Sequence, residues 1–125
     1  MKFDWSEYVS LAQALHRDPT RPGPVEACLR SAISRAYYGV FCMARNQMRD
    51  RGTFKPTHTG RDHSLLPEQL KASSNLAYRK IGLDLDRLRL NRAKADYDDV
   101  LANSSSLAEQ SVRKAGELVA RLKTP

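Results

Sequence analysis

The chain has 125 residues, a length that fits one domain rather than two. Hydrophobic residues make up 41% and charged residues 28%, ordinary for a folded globular protein, so disorder is excluded and neither a metal nor a disulfide is needed for folding. Twenty-one Lys and Arg face fourteen Asp and Glu, and the net charge of +7 favours polyanions such as RNA or DNA, or an acidic partner.

The longest apolar run, Ala36 to Ala44, is far short of the ~20 residues that a bilayer crossing requires, so no membrane span is expected. The start of the chain, Met1-Lys2-Phe3-Asp4-Trp5, lacks the apolar centre of a secretion signal. Cys28 and Cys42 lie about four helical turns apart on one pattern, too far to bridge, and read as reduced, packed thiols of a cytoplasmic protein.

Five helical segments are expected. The first runs from about Trp5 to Arg17, opened by a capping-box-like Asp4 and Glu7, with Trp5, Tyr8, Val9, Ala12 and Leu15 on one face. Three prolines and a glycine make residues 18–24 a rigid connector. The second segment, about Pro24 to Arg49, carries the apolar stripe Val25, Leu29, Ala32, Ile33, Ala36, Val40 and Ala44. Its opposite line, Ser31, Arg35, Tyr38, Cys42, Arg45 and Arg49, mixes a tyrosine and a thiol with arginines and is no ordinary solvated face. Residues 50–63 lack periodicity and read as a long exposed loop. Ser64 is expected to cap a short third helix ending near Leu70, with Pro67 in its first turn.

The fourth segment, about Asn75 to Asp98, has two apolar lines. One is Tyr78, Ile81, Leu85, Leu88 and Ala95; the other is Leu76, Leu83, Leu90 and Tyr97. Such a helix is covered on two sides, by its own bundle and by a partner subunit, so a homodimer is expected. Arg92 and Asp96 intrude on the first line with Arg89 at its edge, and their i,i+4 spacing lets Arg92 and Asp96 pair. The fifth segment, about Ser106 to Lys123, starts on a Ser106/Glu109 capping box. No segment reads as a strand, and the expected fold class is an all-α antiparallel bundle of four to five helices.

Three stretches in order carry a family resemblance. Arg30-Ser31-Ala32-Ile33-Ser34-Arg35-Ala36-Tyr37-Tyr38-Gly39-Val40-Phe41 resembles the SRAYY helix of small prokaryotic HEPN-domain proteins. Asp62-His63-Ser64 is similar to their histidine turn, and Arg89 to Asp98 to their LRxxRxxADYD segment. The resemblance implies a single HEPN-like domain over 1–125, usually homodimeric and commonly RNA-associated. It also implies a place in a toxin–antitoxin or defence system, with either metal-independent ribonuclease activity or a nucleotidyltransferase-type cognate partner. Catalytic members carry an arginine, four to six intervening residues, and then a histidine. This chain departs from that pattern: neither Arg89 nor Arg92 is followed by a histidine at that spacing, and Ala95 and Asp96 stand in the place near the tyrosine.

Metal-independent RNA cleavage needs a group titrating near neutrality to move protons and a cation to neutralise the phosphorane. Arg89 and Arg92 supply charge, but an aspartate paired to arginine is a weak base, and a mobile loop holds His63 poorly. RNA binding is therefore expected over cleavage. The candidate RNA contacts are Arg35, Tyr38, Arg45, Arg49, Arg79, Lys80 and Arg87. The alternative is a divergent endoribonuclease using Arg89, Arg92, Asp96 and His63 or a tyrosine; another is a pure protein-interaction module. No phosphate loop, CxxC or HExxH is present, so no metal or cofactor is expected. For Arg92 and Asp96 a cleft-lining position is favoured over a buried structural pair.

Overall fold

Asn75 begins the helix that carries most of the candidate residues: its Oδ1 accepts the N–H groups of Ala77 at 2.8 Å and Tyr78 at 3.3 Å, which satisfies two of the donors left open at a helix start. The structure is a computed structural model that describes residues 2–18, 20 and 23–124. It contains α1 (Ser6–Arg17), α2 (Val25–Asp50), α3 (Asp62–Lys71), α4 (Leu76–Tyr97) and α5 (Ser104–Lys123), with no strand among the described residues. No helix is long and apolar enough to cross a membrane. The proline connector falls largely on residues 19, 21 and 22, which lie outside the described residues.

α2 is the central element and packs against α1, α4 and α5, while α3 lies against α4. Side-chain bonds fix the directions. Arg30, early in α2, donates to the carbonyls of Ala95 and Asp98 at the end of α4, and Gln47, late in α2, donates to Tyr78 at the start of α4. α4 and α5 are likewise antiparallel: Asn91 meets Ser111, and Arg121 meets the buried Asp84. The expected stripe of α2 is buried from Leu29 to Ala44, and Tyr37, Phe41, Cys42 and Met48 are buried on its other sides. Both cysteines are buried and free.

Three local expectations change. The expected Asp4/Glu7 capping box is not found: the residue at the N-cap of α1 is Trp5, and Asp4 instead accepts the Ser6 N–H at 3.0 Å and the Ser6 hydroxyl at 2.6 Å. α5 starts at Ser104 behind Asn103, which adopts a left-handed φ of 56°, so Ser106 lies inside the helix and caps nothing. Residues 50–63 are not one exposed loop: Asp50 ends α2, Phe54 is buried against the core, and Asp62 starts α3. The buried Asp62 carboxylate accepts the Thr57 hydroxyl at 2.7 Å and the N–H groups of Thr57 and His58, which ties the loop to the start of α3. Burial alone would raise the Asp62 pKa, but these bonds outweigh it and hold the carboxyl below its ordinary value.

α3 and α4 touch most closely at Gly82. A Cβ there would sit 2.9 Å from Leu70 Cβ and from the Lys71 nitrogen, and 3.0 Å from the Pro67 carbonyl oxygen. Only glycine permits this approach, which sets the height of α3 along α4.

Candidate functional site

Three helices bring the site together. α2 supplies Tyr37 and Tyr38, α3 supplies His63 from its first turn, and α4 supplies Arg89, Arg92 and Asp96. Tyr37, Tyr38 and Phe41 stand near one another on α2, and the His63 ring stacks on Phe41 at 4.3 Å between centroids with 24° between planes. His63 is thus not carried on a mobile loop. It sits in a helix and is gripped on two sides.

The second grip is a 2.6 Å hydrogen bond between Tyr37 Oη and His63 Nδ1. Tyr37 is fully buried, and its hydroxyl has no second partner among the described residues. A buried O–H needs an acceptor, so Tyr37 donates and Nδ1 accepts. The ring proton of neutral His63 then sits on Nε2. Burial drives the Tyr37 pKa far up, so the phenol stays a donor. Burial also pushes the His63 pKa below its ordinary value, and Arg92 and Arg89 push it the same way against Asp62. His63 is neutral at pH 7 and offers an N–H rather than a free lone pair.

Arg92 is the centre of the cluster. One terminal nitrogen donates to Tyr38 Oη at 2.8 Å, and the guanidinium carbon lies 5.1, 5.7 and 5.9 Å from the ring centroids of Tyr38, Tyr37 and Tyr97. Its Nε is 3.6 Å from Asp96 Oδ2, beyond hydrogen-bond length, and is a buried donor without a hydrogen-bond acceptor. Among the described residues Asp96 takes one hydrogen bond, a long 3.4 Å bond from Ser34. Arg89 repeats the pattern: it reaches Asp86 at 2.8 Å, and its Nε is buried with no acceptor. Asp86 also receives Lys71 at 2.8 Å. Three cations thus face two carboxylates, and the cluster keeps a positive balance.

The arrangement is that of a half-open anion site. The Arg92 side chain is 13% exposed and that of Asp96 is 29% exposed, so the pair is neither sealed in the core nor free in solvent. Spare guanidinium N–H groups and the His63 N–H can donate to phosphate oxygens. Among the described residues no group of three or more His, Cys, Asp or Glu side chains is arranged to hold a metal ion.

The other candidates lie elsewhere. Arg35 packs its guanidinium 4.9 Å from the Tyr8 ring centroid and Arg45 lies 5.9 Å from that of Trp5, so both cover α1. Arg49 pairs with its neighbour Asp50. Arg79, Lys80 and Arg87 are exposed on α4, turned roughly 120° or more around the helix axis from Arg92. Sequence reasoning missed Tyr37 and Phe41 as the residues that fix His63. Their i,i+4 spacing within the tyrosine motif was the available signal.

Comparison with family models, with curated proteins and with solved structures returns no match.

Proposed function

We propose that this chain is a HEPN-like, RNA-associated protein of a toxin–antitoxin or defence system, and that it binds the RNA backbone at the cluster of Arg92, Arg89, Tyr38 and His63. The observation that carries this reading is the convergence of Arg92, Arg89 and His63 in one partly open cluster, with the Arg89 side chain 33% and the Arg92 side chain 13% exposed. The exposed guanidinium N–H groups of these two arginines suit a phosphate oxygen in charge and geometry. The neighbouring Tyr97 ring is 75% exposed and gives a base a surface to stack on.

Binding is favoured over cleavage because the Tyr37 bond occupies the one lone pair that a neutral His63 could use as a base. The test is fluorescence anisotropy with a labelled single-stranded RNA dodecamer. Affinity should fall with salt at a log–log slope of roughly −0.7 per phosphate neutralised. Arg92→Ala should weaken binding by about 10- to 100-fold, the worth of a charged hydrogen bond. Circular dichroism checks that the variant is folded, and Arg92→Lys should recover part of the affinity. Unchanged affinity in a folded Arg92→Ala protein overturns the reading. Cleavage of the RNA in EDTA that disappears in His63→Ala would replace it with the endoribonuclease reading.

A further inference from the structure

We propose that the outer face of α4 is a docking surface for an acidic amphipathic helix of a different protein. Leu76, Leu83, Leu90 and Tyr97 recur every seventh residue and form one line along α4. They are 72%, 54%, 56% and 75% exposed, although the opposite line of the same helix is buried through Ile81, Leu85 and Leu88. Three large aliphatic side chains in a row on a solvent face mark a surface that binds protein. They offer nothing to a phosphate backbone.

Charge selects the occupant. Arg79, Lys80, Arg87 and Lys94 border the line; all are exposed, and none makes an ion pair among the described residues. No free carboxylate of α4 answers them. Asp84 is buried with Lys114 and Arg121, Asp86 is held by Lys71 and Arg89, and Asp96 lies beside Arg92. The same face of a second copy would bring the same four cations and no free carboxylate of α4, the exposed Asp98 and Asp99 lying beyond the end of the helix, so self-pairing along it is electrostatically opposed. A helix with leucines or isoleucines at heptad spacing and Asp or Glu beside them complements both the line and its border. The matching segment runs about 30 Å, the length of α4 at its 22 residues. Leu76, Leu83 and Leu90 point away from Arg92, so docking along them leaves the arginine cluster open, while Tyr97, 5.9 Å from the Arg92 guanidinium, borders both surfaces.

The probe is a fluorescein-labelled synthetic helix of α4's length, with leucine at a and d and glutamate at e and g. A lysine-for-glutamate version is the control. By anisotropy against the full chain, the glutamate helix should bind at least tenfold tighter than the lysine helix at ~0.1 M salt. The difference should collapse at ~1 M, where the screening length shortens to about 3 Å. A Leu83→Ser, Leu90→Ser protein should lose tenfold or more in peptide affinity while keeping its circular dichroism and its RNA binding. Exposed positions make this variant safe for folding, and Arg87→Glu with Lys94→Glu tests the charge separately. Equal binding of the two helices, or none, overturns the proposal. So does a light-scattering mass of twice 14.1 kDa that the leucine variant halves, which assigns the face to a second copy. Loss of RNA affinity in the leucine variant would assign the face to RNA instead.

Discussion

Removing one oxygen, in Tyr37→Phe, tests how His63 is set. The hydroxyl donates to Nδ1 across 2.6 Å in a buried position, and phenylalanine keeps the ring that packs on Tyr38 and Phe41. His63 also keeps its stack on Phe41, so the substitution isolates the hydrogen bond. That bond stabilises the neutral imidazole with its proton on Nε2. Its net worth of about 1 kcal/mol corresponds to a factor of about five in the protonation constant. In Tyr37→Phe, His63 should titrate at higher pH than in the wild type but still below an ordinary histidine, because burial, Arg92 and Arg89 remain. The effect on stability has a sign. A histidine held below its unfolded pKa contributes stability above about pH 6.5, and the contribution is lost as pH falls through the folded value. The variant should melt about 4 °C lower at pH 7 and lose less than the wild type on acidification. Two-dimensional 15N–1H spectra of the ring read the tautomer directly. A wild-type ring protonated on Nδ1, or an unchanged His63 titration in the variant, would refute the assignment.

Gly82→Ala should lower the melting temperature and weaken RNA binding, since the new methyl meets the backbone of α3 and overpacking of this kind costs about 1–3 kcal/mol. Gly116→Ala is the control: its nearest neighbour is the Gln13 side-chain nitrogen at 3.5 Å, so relief of the glycine helix penalty should stabilise by up to ~1 kcal/mol. Asp62→Asn should cost about 1–3 kcal/mol at neutral pH. Because the Asp62 pKa is lowered on folding, the gap between the two urea midpoints should close as pH falls below about 4. A bound phosphate should raise the His63 pKa against the push of Arg92 and Arg89, so RNA affinity should increase as pH falls below neutrality, as reciprocal linkage requires. Flat affinity between pH 5 and 7.5 would show that His63 does not face the phosphate.

The helices were legible because periodicity and end signals agree. The bounds of α1, α2 and α4 fall within about one residue of those read from the apolar stripes and from Asn75. The start of α3 was hidden. It depends on Asp62 binding back to Thr57 and His58, and Thr, Pro and Gly on either side mask a helix start as loop. Ser106 and Glu109 misled because three consecutive serines offer equivalent caps, and the left-handed Asn103 sets the start two residues earlier. In the site, Arg92 and Asp96 stood out as charges on an apolar line. The Tyr37–His63 bond joins residues 26 apart across two helices, which no pattern along one chain expresses.

One face of α4 changes chemistry along its length, and the neighbouring helices explain why the site sits where it does. Ile81, Leu85 and Leu88 face the core beside α3, whose Leu66 and Leu70 are fully buried. Beyond them the same face carries Arg89, Arg92 and Asp96. The antiparallel α2 changes in step, from Met48 and Phe41 through Tyr37 and Tyr38 to Ser34. α3 begins at this transition, so His63 in its first turn reaches the arginines while its last turn packs at Gly82. The height of α3 on α4 therefore sets both the closure of the core and the position of His63 beside Arg92. A shift of α3 along α4 by even one residue's rise, about 1.5 Å, exceeds the tolerance of about 0.5 Å that a preorganised site requires. The glycine contact thus couples packing to the proposed binding chemistry.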